Sequence, residues 1–250
     1  MTEKHETTES FPDPERWLDT LTSADAMGVM IDDQANAVAA VKACLPQITD
    51  AALAAFTRLD GSSTGRLIYS GAGTSARIGV QDGVELTPTF NWPEDRRGFL
   101  IAGGVDALLR SVENAEDDAD NARAQCADAG INADDVVIGI AASGKTPFTI
   151  AAIREAKSRG ALTIALANNP DTPLLDTADH ALLLHTGAEA LAGSTRMKAG
   201  TAQKICLNLI STLIMVRMGR VKKGMMADMQ ATNAKLRHRQ TLIDKALNAE

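Results

Sequence analysis

Three short runs in this chain carry the residue types needed to hold an anion. They are GAGTSA (Gly71–Ala76), SGKT (Ser143–Thr146) and GSTRMKAGT (Gly193–Thr201). Each mixes glycine with hydroxyl residues and each precedes a stretch with helical character. A helix N-terminus offers free N–H groups and the positive end of a dipole, so a phosphate binds there readily. Thr74, Ser75, Ser143 and Thr146 are the first candidate phosphate ligands, with Ser194 and Thr195 next. Gly73 and Lys198 are candidate substrate contacts. The plain alternative is that these serines and threonines are ordinary N-caps. Three such loops in one chain weigh toward a ligand.

Two better-known motifs fit less well. GAGTSA matches G-x-G-x-x-A, the dinucleotide fingerprint, which also needs an acidic residue at the end of the next strand for the ribose. The next apolar run here ends in IAGG. GIAASGKT (Gly139–Thr146) matches the letters of the P-loop. However, Ile140, Ala141 and Ala142 read as a continuing strand, and no later strand ends in the aspartate that would organise Mg²⁺.

The loops follow near-continuous apolar runs: Arg66–Ser70, Gly98–Gly103, Val136–Ala142, Leu162–Ala167 and Ala181–Thr186. Such runs suit strands buried on both faces, and their alternation with helical patterns implies a parallel sheet. Ligands of such sheets bind beyond the carboxyl ends of the strands, where these loops lie. The expected architecture is a single α/β domain of 250 residues. Residues 1–13 are polar and expected to be disordered, 14–60 form a helical extension with a break or new start at Pro46, 61–220 form the sheet core, and 221–250 a C-terminal helical segment. ICLNLISTLIMV, after Lys204, falls short of the roughly 20 apolar residues that span a bilayer and reads as a core helix. The N-terminus has no apolar core of a signal peptide.

Composition narrows the partners. The formal charge is −7 and aromatic residues make up 3% of the chain. A basic surface and stacking platforms for nucleic acid are both lacking, so no nucleic-acid or membrane partner is expected. Cys44, Cys126 and Cys206 match no zinc or redox spacing, as in a reduced cytoplasmic protein. No metal site or cofactor is expected.

Taken together, RLIYSGAGTSARIGVQDGVELTPTF, IAGGVDALLRSVENAEDD, IGIAASGKTPFTIAAIREA, GSTRMKAGTAQKICLNLIST and DMQATNAKLRHR resemble the sugar isomerase (SIS) fold. More narrowly, they resemble the N-acetylmuramic acid 6-phosphate etherases. The resemblance covers roughly Arg66 to Arg239. It implies a three-layer α/β/α fold with a five-stranded, flavodoxin-like parallel sheet, a cytoplasmic homodimer, and a phosphorylated amino sugar as substrate. It implies cleavage of a D-lactyl ether to N-acetylglucosamine 6-phosphate and D-lactate, without metal or cofactor. Relatives of the same fold include sugar-phosphate-binding regulators and aldose–ketose isomerases, which remain the alternatives. Three departures stand out. Ala76 replaces a usual glycine, VELTP (Val84–Pro88) replaces Ser-Glu-Cys-Pro-Pro, and the chain stops at Glu250, where the family continues into a small helical C-terminal domain.

The implied catalytic pair is Glu85 and Glu116. The reaction must remove the proton on C2 of the open-chain sugar, protonate the lactate oxygen leaving C3, and then add water by the reverse steps. Two carboxyl groups can do this, each contributing roughly 10²–10⁴ in rate. The resemblance favours Glu116 as the base at C2 and Glu85 as the acid at the leaving oxygen. From the residues alone, Glu113, Glu116, Asp117 and Asp118 form an acidic run of the kind that is usually a solvated face, and Glu85 could simply end a helix. A helix running unbroken from Gly104 would also carry Glu116 roughly 18 Å from its own start, at 1.5 Å per residue. Either the helix breaks before Glu116 or the residue serves a site across a dimer interface.

Overall fold

The computed structural model describes residues 7–229 and 234–248. Five strands, β1 (Leu67–Gly71), β2 (Arg97–Ile101), β3 (Val136–Ile140), β4 (Leu162–Ala167) and β5 (His180–Leu183), form one sheet in the order β2-β1-β3-β4-β5. All neighbours are parallel and the register is unbroken, with Leu67 opposite both Arg97 and Val136. This is the flavodoxin-like order expected, and the chain reverses its direction of winding between β1 and β3.

Among the described residues, eight α-helices cover or follow the sheet: α1 (Ser23–Ala43), α2 (Leu45–Asp60), α3 (Gly73–Phe90), α4 (Ala119–Asp128), α5 (Pro147–Ser158), α6 (Pro173–Thr177), α7 (Lys198–Arg217) and α8 (Ala234–Asn248). Strand alternation decides which face each residue serves. Leu67, Tyr69, Ile138, Ile140, Ile164 and Leu166 pack with α1, α2, α3 and α7. Ile68, Val137 and Ala165 pack with α4, α5 and α6. The result is three layers, α/β/α.

The N-terminal extension bends by 60° between α1 and α2. Pro46 sits in the first turn of α2, where its missing N–H costs no helical bond. The helix α7 is long and apolar enough to cross a membrane, yet it lies in the core, with Cys206, Leu207, Ile210 and Ile214 all fully buried. Two parts differ from expectation. Part of the segment expected to be disordered, residues 1–6, lies outside the described residues. From Thr7 on the chain is fixed: the Thr8 N–H donates to Asn169 Oδ1 and the Asn169 amide donates to Thr8 Oγ1, each at 2.9 Å. After α7 a two-stranded hairpin, β6 (Val221–Lys222) and β7 (Met225–Met226), turns through Lys223 and Gly224, both at positive φ, before α8. That turn is the two-residue type that right-twisted strands favour.

The amino ends of the strands carry polar ties. Asp135, fully buried, accepts the Arg66 main-chain N–H and its Nε, both at 3.0 Å, and its Nη2 at 2.6 Å. Arg96 lies 4.3 Å over the buried Trp92 ring and donates to the carbonyls of Leu59, Ser62 and Gly65. Removing one partner of a buried ion pair leaves an uncompensated charge. Asp135→Ala should therefore cost about 3 kcal/mol, read as a lower denaturation midpoint with unchanged slope in urea; an unchanged midpoint would refute it.

Candidate active site

The three hydroxyl-bearing loops all lie at the carboxyl end of the parallel sheet. Gly71 ends β1 and α3 begins at Gly73; Ala141–Thr146 link β3 to α5; the segment after β5 leads to α7. No side chain caps α3, whose N-cap is Ala72, and none caps α5, whose N-cap is Thr146. Gly139 lies within β3, so the apparent P-loop is strand for its first two residues. Gly144 has φ +65°, and a Cβ there would collide with Thr172.

A cavity of about 350 Å³ opens at the start of α3. Gly73, Thr74, Arg77, Glu113 and Glu116 line it. Glu116 reaches it because the chain after β2 is not a continuous helix. A 3₁₀ turn (Val105–Leu108), a loop, and a second 3₁₀ turn (Ala115–Asp117) precede α4. Of the two arrangements expected for Glu116, the broken helix is the one present.

Glu85 does not join this cavity. It is exposed on α3, twelve residues beyond Gly73, which is roughly 18 Å along the axis. Within one chain the two glutamates do not face each other. The VELTP stretch is helical, forming Val84–Pro88 of α3.

The other candidate residues divide. Ser75 can offer an anion only its N–H, because its hydroxyl is buried and donates to Gln203 Oε1 at 2.9 Å. Gln203 passes the chain on to Asn168 Oδ1 at 3.0 Å, and the Asn168 amide donates to the Leu184 carbonyl at 2.9 Å. This buried polar chain fixes the starts of α3 and α7 to the ends of β4 and β5. Ser143 Oγ accepts the Lys145 N–H at 3.1 Å, closing its own turn. Ser194 and Thr195 are half-buried; the Thr195 carbonyl accepts the Gly200 N–H at 2.9 Å, and a Cβ at Gly200 would meet the Thr74 methyl, so this loop lies close to the start of α3.

Lys198 lies away from the 350 Å³ cavity. It is buried and its Nζ pairs with Asp33 of α1 at 2.8 Å. The start of α7 does hold an anion, and it belongs to the chain. Glu189, fully buried, accepts the N–H groups of Lys198 at 3.0 Å and Ala199 at 2.9 Å. Burial raises the Glu189 carboxyl above its ordinary range, against the lowering effect of the Ala199 and Lys198 N–H groups and the Lys198 charge. Sequence reasoning missed Glu189, Asp33, Gln203 and Asn168. Only Glu189 carried a signal, a lone acid between Ala188 and Ala190; Asp33, Asn168 and Gln203 each adjoin another polar residue.

A central parallel sheet of this order, with hydroxyl loops and uncapped helix starts at its carboxyl edge, defines a SIS-type phosphosugar-binding domain. Residues 114–213 match the SIS domain and residues 50–157 the glucokinase regulatory protein N-terminal SIS domain. A phosphoheptose isomerase from Francisella tularensis has the same fold, with a TM-score of 0.59 at 21% identity, over 78% of this chain and 98% of that one. The chain belongs to the N-acetylmuramic acid 6-phosphate etherase family. It is 48% identical to the enzyme of that name from Deinococcus radiodurans, over 100% of this chain and 81% of that one. The Streptomyces avermitilis etherase is 44% identical over 95% of this chain and 76% of that one.

A raised native pKa at Glu189 means that the folded state binds this proton more tightly than the unfolded chain does. The protonation contribution is complete below the unfolded pKa and is lost as pH rises through the folded one. Wild-type protein should therefore gain stability relative to Glu189→Gln as pH falls from 7 toward 4.5. Paired urea titrations at several pH values check this; parallel profiles would refute it.

Proposed function

We propose that this protein cleaves the D-lactyl ether of N-acetylmuramic acid 6-phosphate, giving N-acetylglucosamine 6-phosphate and D-lactate. The observation that carries the reading is the cavity where Glu116 meets the uncapped start of α3 in a chain of this family. The phosphate is held by the N–H groups of Gly73, Thr74 and Ser75, by the Thr74 hydroxyl, and by Ser143, Thr146, Ser194 and Thr195 around the same sheet edge. Glu116 removes the proton on C2 of the ring-opened sugar. The electron pair forms the C2–C3 double bond as the C3–O bond breaks, and Glu85 gives its proton to the departing lactate. Glu85 then takes a proton from water, which adds at C3, and Glu116 returns its proton to C2. Both carboxyl groups end as they began, and no metal or organic cofactor enters the cycle.

The separation of the two glutamates calls for two chains. Glu85 stands on an outer face of α3 beside Val84, and Leu209 and Val216 are exposed on the adjacent α7. An apolar face of this kind suits association, and a homodimer in the cytoplasm would deliver Glu85 from one chain to the Glu116 cavity of the other. A regulator that binds a sugar phosphate without turnover is the second reading, suggested by the match to the glucokinase regulatory protein domain.

The test is D-lactate release from N-acetylmuramic acid 6-phosphate. Glu85→Gln and Glu116→Gln should each lower kcat by about 10²–10⁴. Chains carrying one substitution each, co-expressed, should recover about a quarter of wild-type activity, because half the dimers are mixed and each has one intact site. Binding without turnover in the wild type would support the regulator, and an isomerised hexose phosphate would support an isomerase. No recovery on mixing would refute the shared site.

A further inference from the structure

The segment carrying Glu116 contains no α-helix or strand and is held at a few points. It leaves β2 through Gly103 and Gly104, both at positive φ (78° and 70°), and enters no α-helix until Ala119. Val105 and Leu109 project outward, 74% and 93% exposed, so apolar contact grips little of its outer side. On the inner side Ala107 packs with Ala76 and Ile101. Farther along, Ala115 packs against the cluster that holds Phe148 and Ala151, and the Ala115–Asp117 turn contacts α5. Between the segment and α3 the polar grip comes from one side chain. Arg77 Nε donates to the Leu108 carbonyl at 3.0 Å and Arg77 Nη2 donates to the Ala107 carbonyl at 2.9 Å. Arg77 lines the same cavity as Thr74 and Glu116, and among the described residues it makes no ion pair.

We infer that Arg77 is a positioning residue, clamping the Gly104–Asp118 segment to the first turns of α3 so that Glu116 faces the phosphate cradle. A planar guanidinium presents two donors at fixed spacing and meets two successive carbonyls at once; an ammonium has no such fork. The cradle and the clamp spring from the same helix, with Thr74 and Arg77 three residues apart and therefore on neighbouring positions of one face. Any tilt of α3 moves anion site and base together. The distance between them is then set by the clamp rather than by the loop. The reaction assigned to Glu116 rests on the etherase reading, whereas the clamp rests on geometry alone.

The experiment uses full-length Arg77→Ala and Arg77→Lys beside the wild type, with two readouts. In hydrogen exchange without substrate, residues 105–118 should exchange at least about tenfold faster in Arg77→Ala, with the β3 and β4 amides unchanged. In D-lactate release, Arg77→Ala should lose about 10²-fold in kcat, the scale of an ångström-sized misplacement, with a smaller change in KM. Arg77→Lys should recover only part of the loss, and millimolar guanidinium ion should restore activity to Arg77→Ala but not to the lysine variant. Should Arg77→Ala fail to fold, Arg77→Lys carries the same exchange and kinetic comparison. Unchanged exchange at 105–118, or full activity in the lysine variant, would overturn the clamp. A wild type that exchanges as described but releases no lactate would sink the reaction and leave the clamp standing.

Discussion

A helix whose first turn is buried cannot leave its N–H groups to water, and α7 begins inside the protein. Much of the architecture at the sheet's carboxyl edge answers that requirement. Glu189 supplies acceptors for the first two N–H groups. The charge this places in the interior is balanced by Lys198, which also pairs with Asp33. Asp33 in turn accepts the Ala190 N–H at 3.1 Å, so α1 is tied to the segment that leads into α7. The N-terminal helical extension is thus part of the electrostatic structure of the core. One turn along α7, Gln203 reaches Ser75 and Asn168 and aligns α3 with β4. An unmade bond in this network would leave a desolvated polar group, which costs more than a typical hydrogen bond contributes.

The same network divides the hydroxyl residues into two kinds. Ser75 donates its hydroxyl proton to Gln203, and Ser143 accepts the Lys145 N–H but keeps its own proton to donate, whereas Thr74 and the uncapped N–H groups of α3 open onto the cavity. Serines and threonines near a phosphate site are therefore not equivalent ligands. Some shape the cradle and others fill it. The glycines do the shaping where no side chain could, as at Gly144, whose positive φ and contact with Thr172 leave no room for a Cβ.

The sheet was legible because burial on both faces imposes near-continuous apolar runs, and all five expected runs contain strands. The loops were legible because glycine and hydroxyl residues cluster directly after apolar runs there, whereas the denser GSSTG run (Gly61–Gly65) precedes β1. The length of the segment from Gly104 was enough to require a break or a second subunit for Glu116, since helix rise is fixed. What escaped has no period. Glu189, Asp33 and Asn168 are polar residues whose burial is decided by partners up to 165 positions away. Thr8 escaped for the same reason, its partner Asn169 lying beyond β4.

Parallel strands put every amino end on one rim of the sheet and every carboxyl end on the other. The Arg66–Asp135 pair and the Trp92–Arg96 stack belong to the first rim; the cradle belongs to the second. Residues separated by the length of a strand and sharing no partner contribute nearly additively. Selection can therefore strengthen the amino rim while it remodels the open lining of the cradle, provided the buried bonds of Glu189, Lys198 and Gln203 beneath that lining are kept.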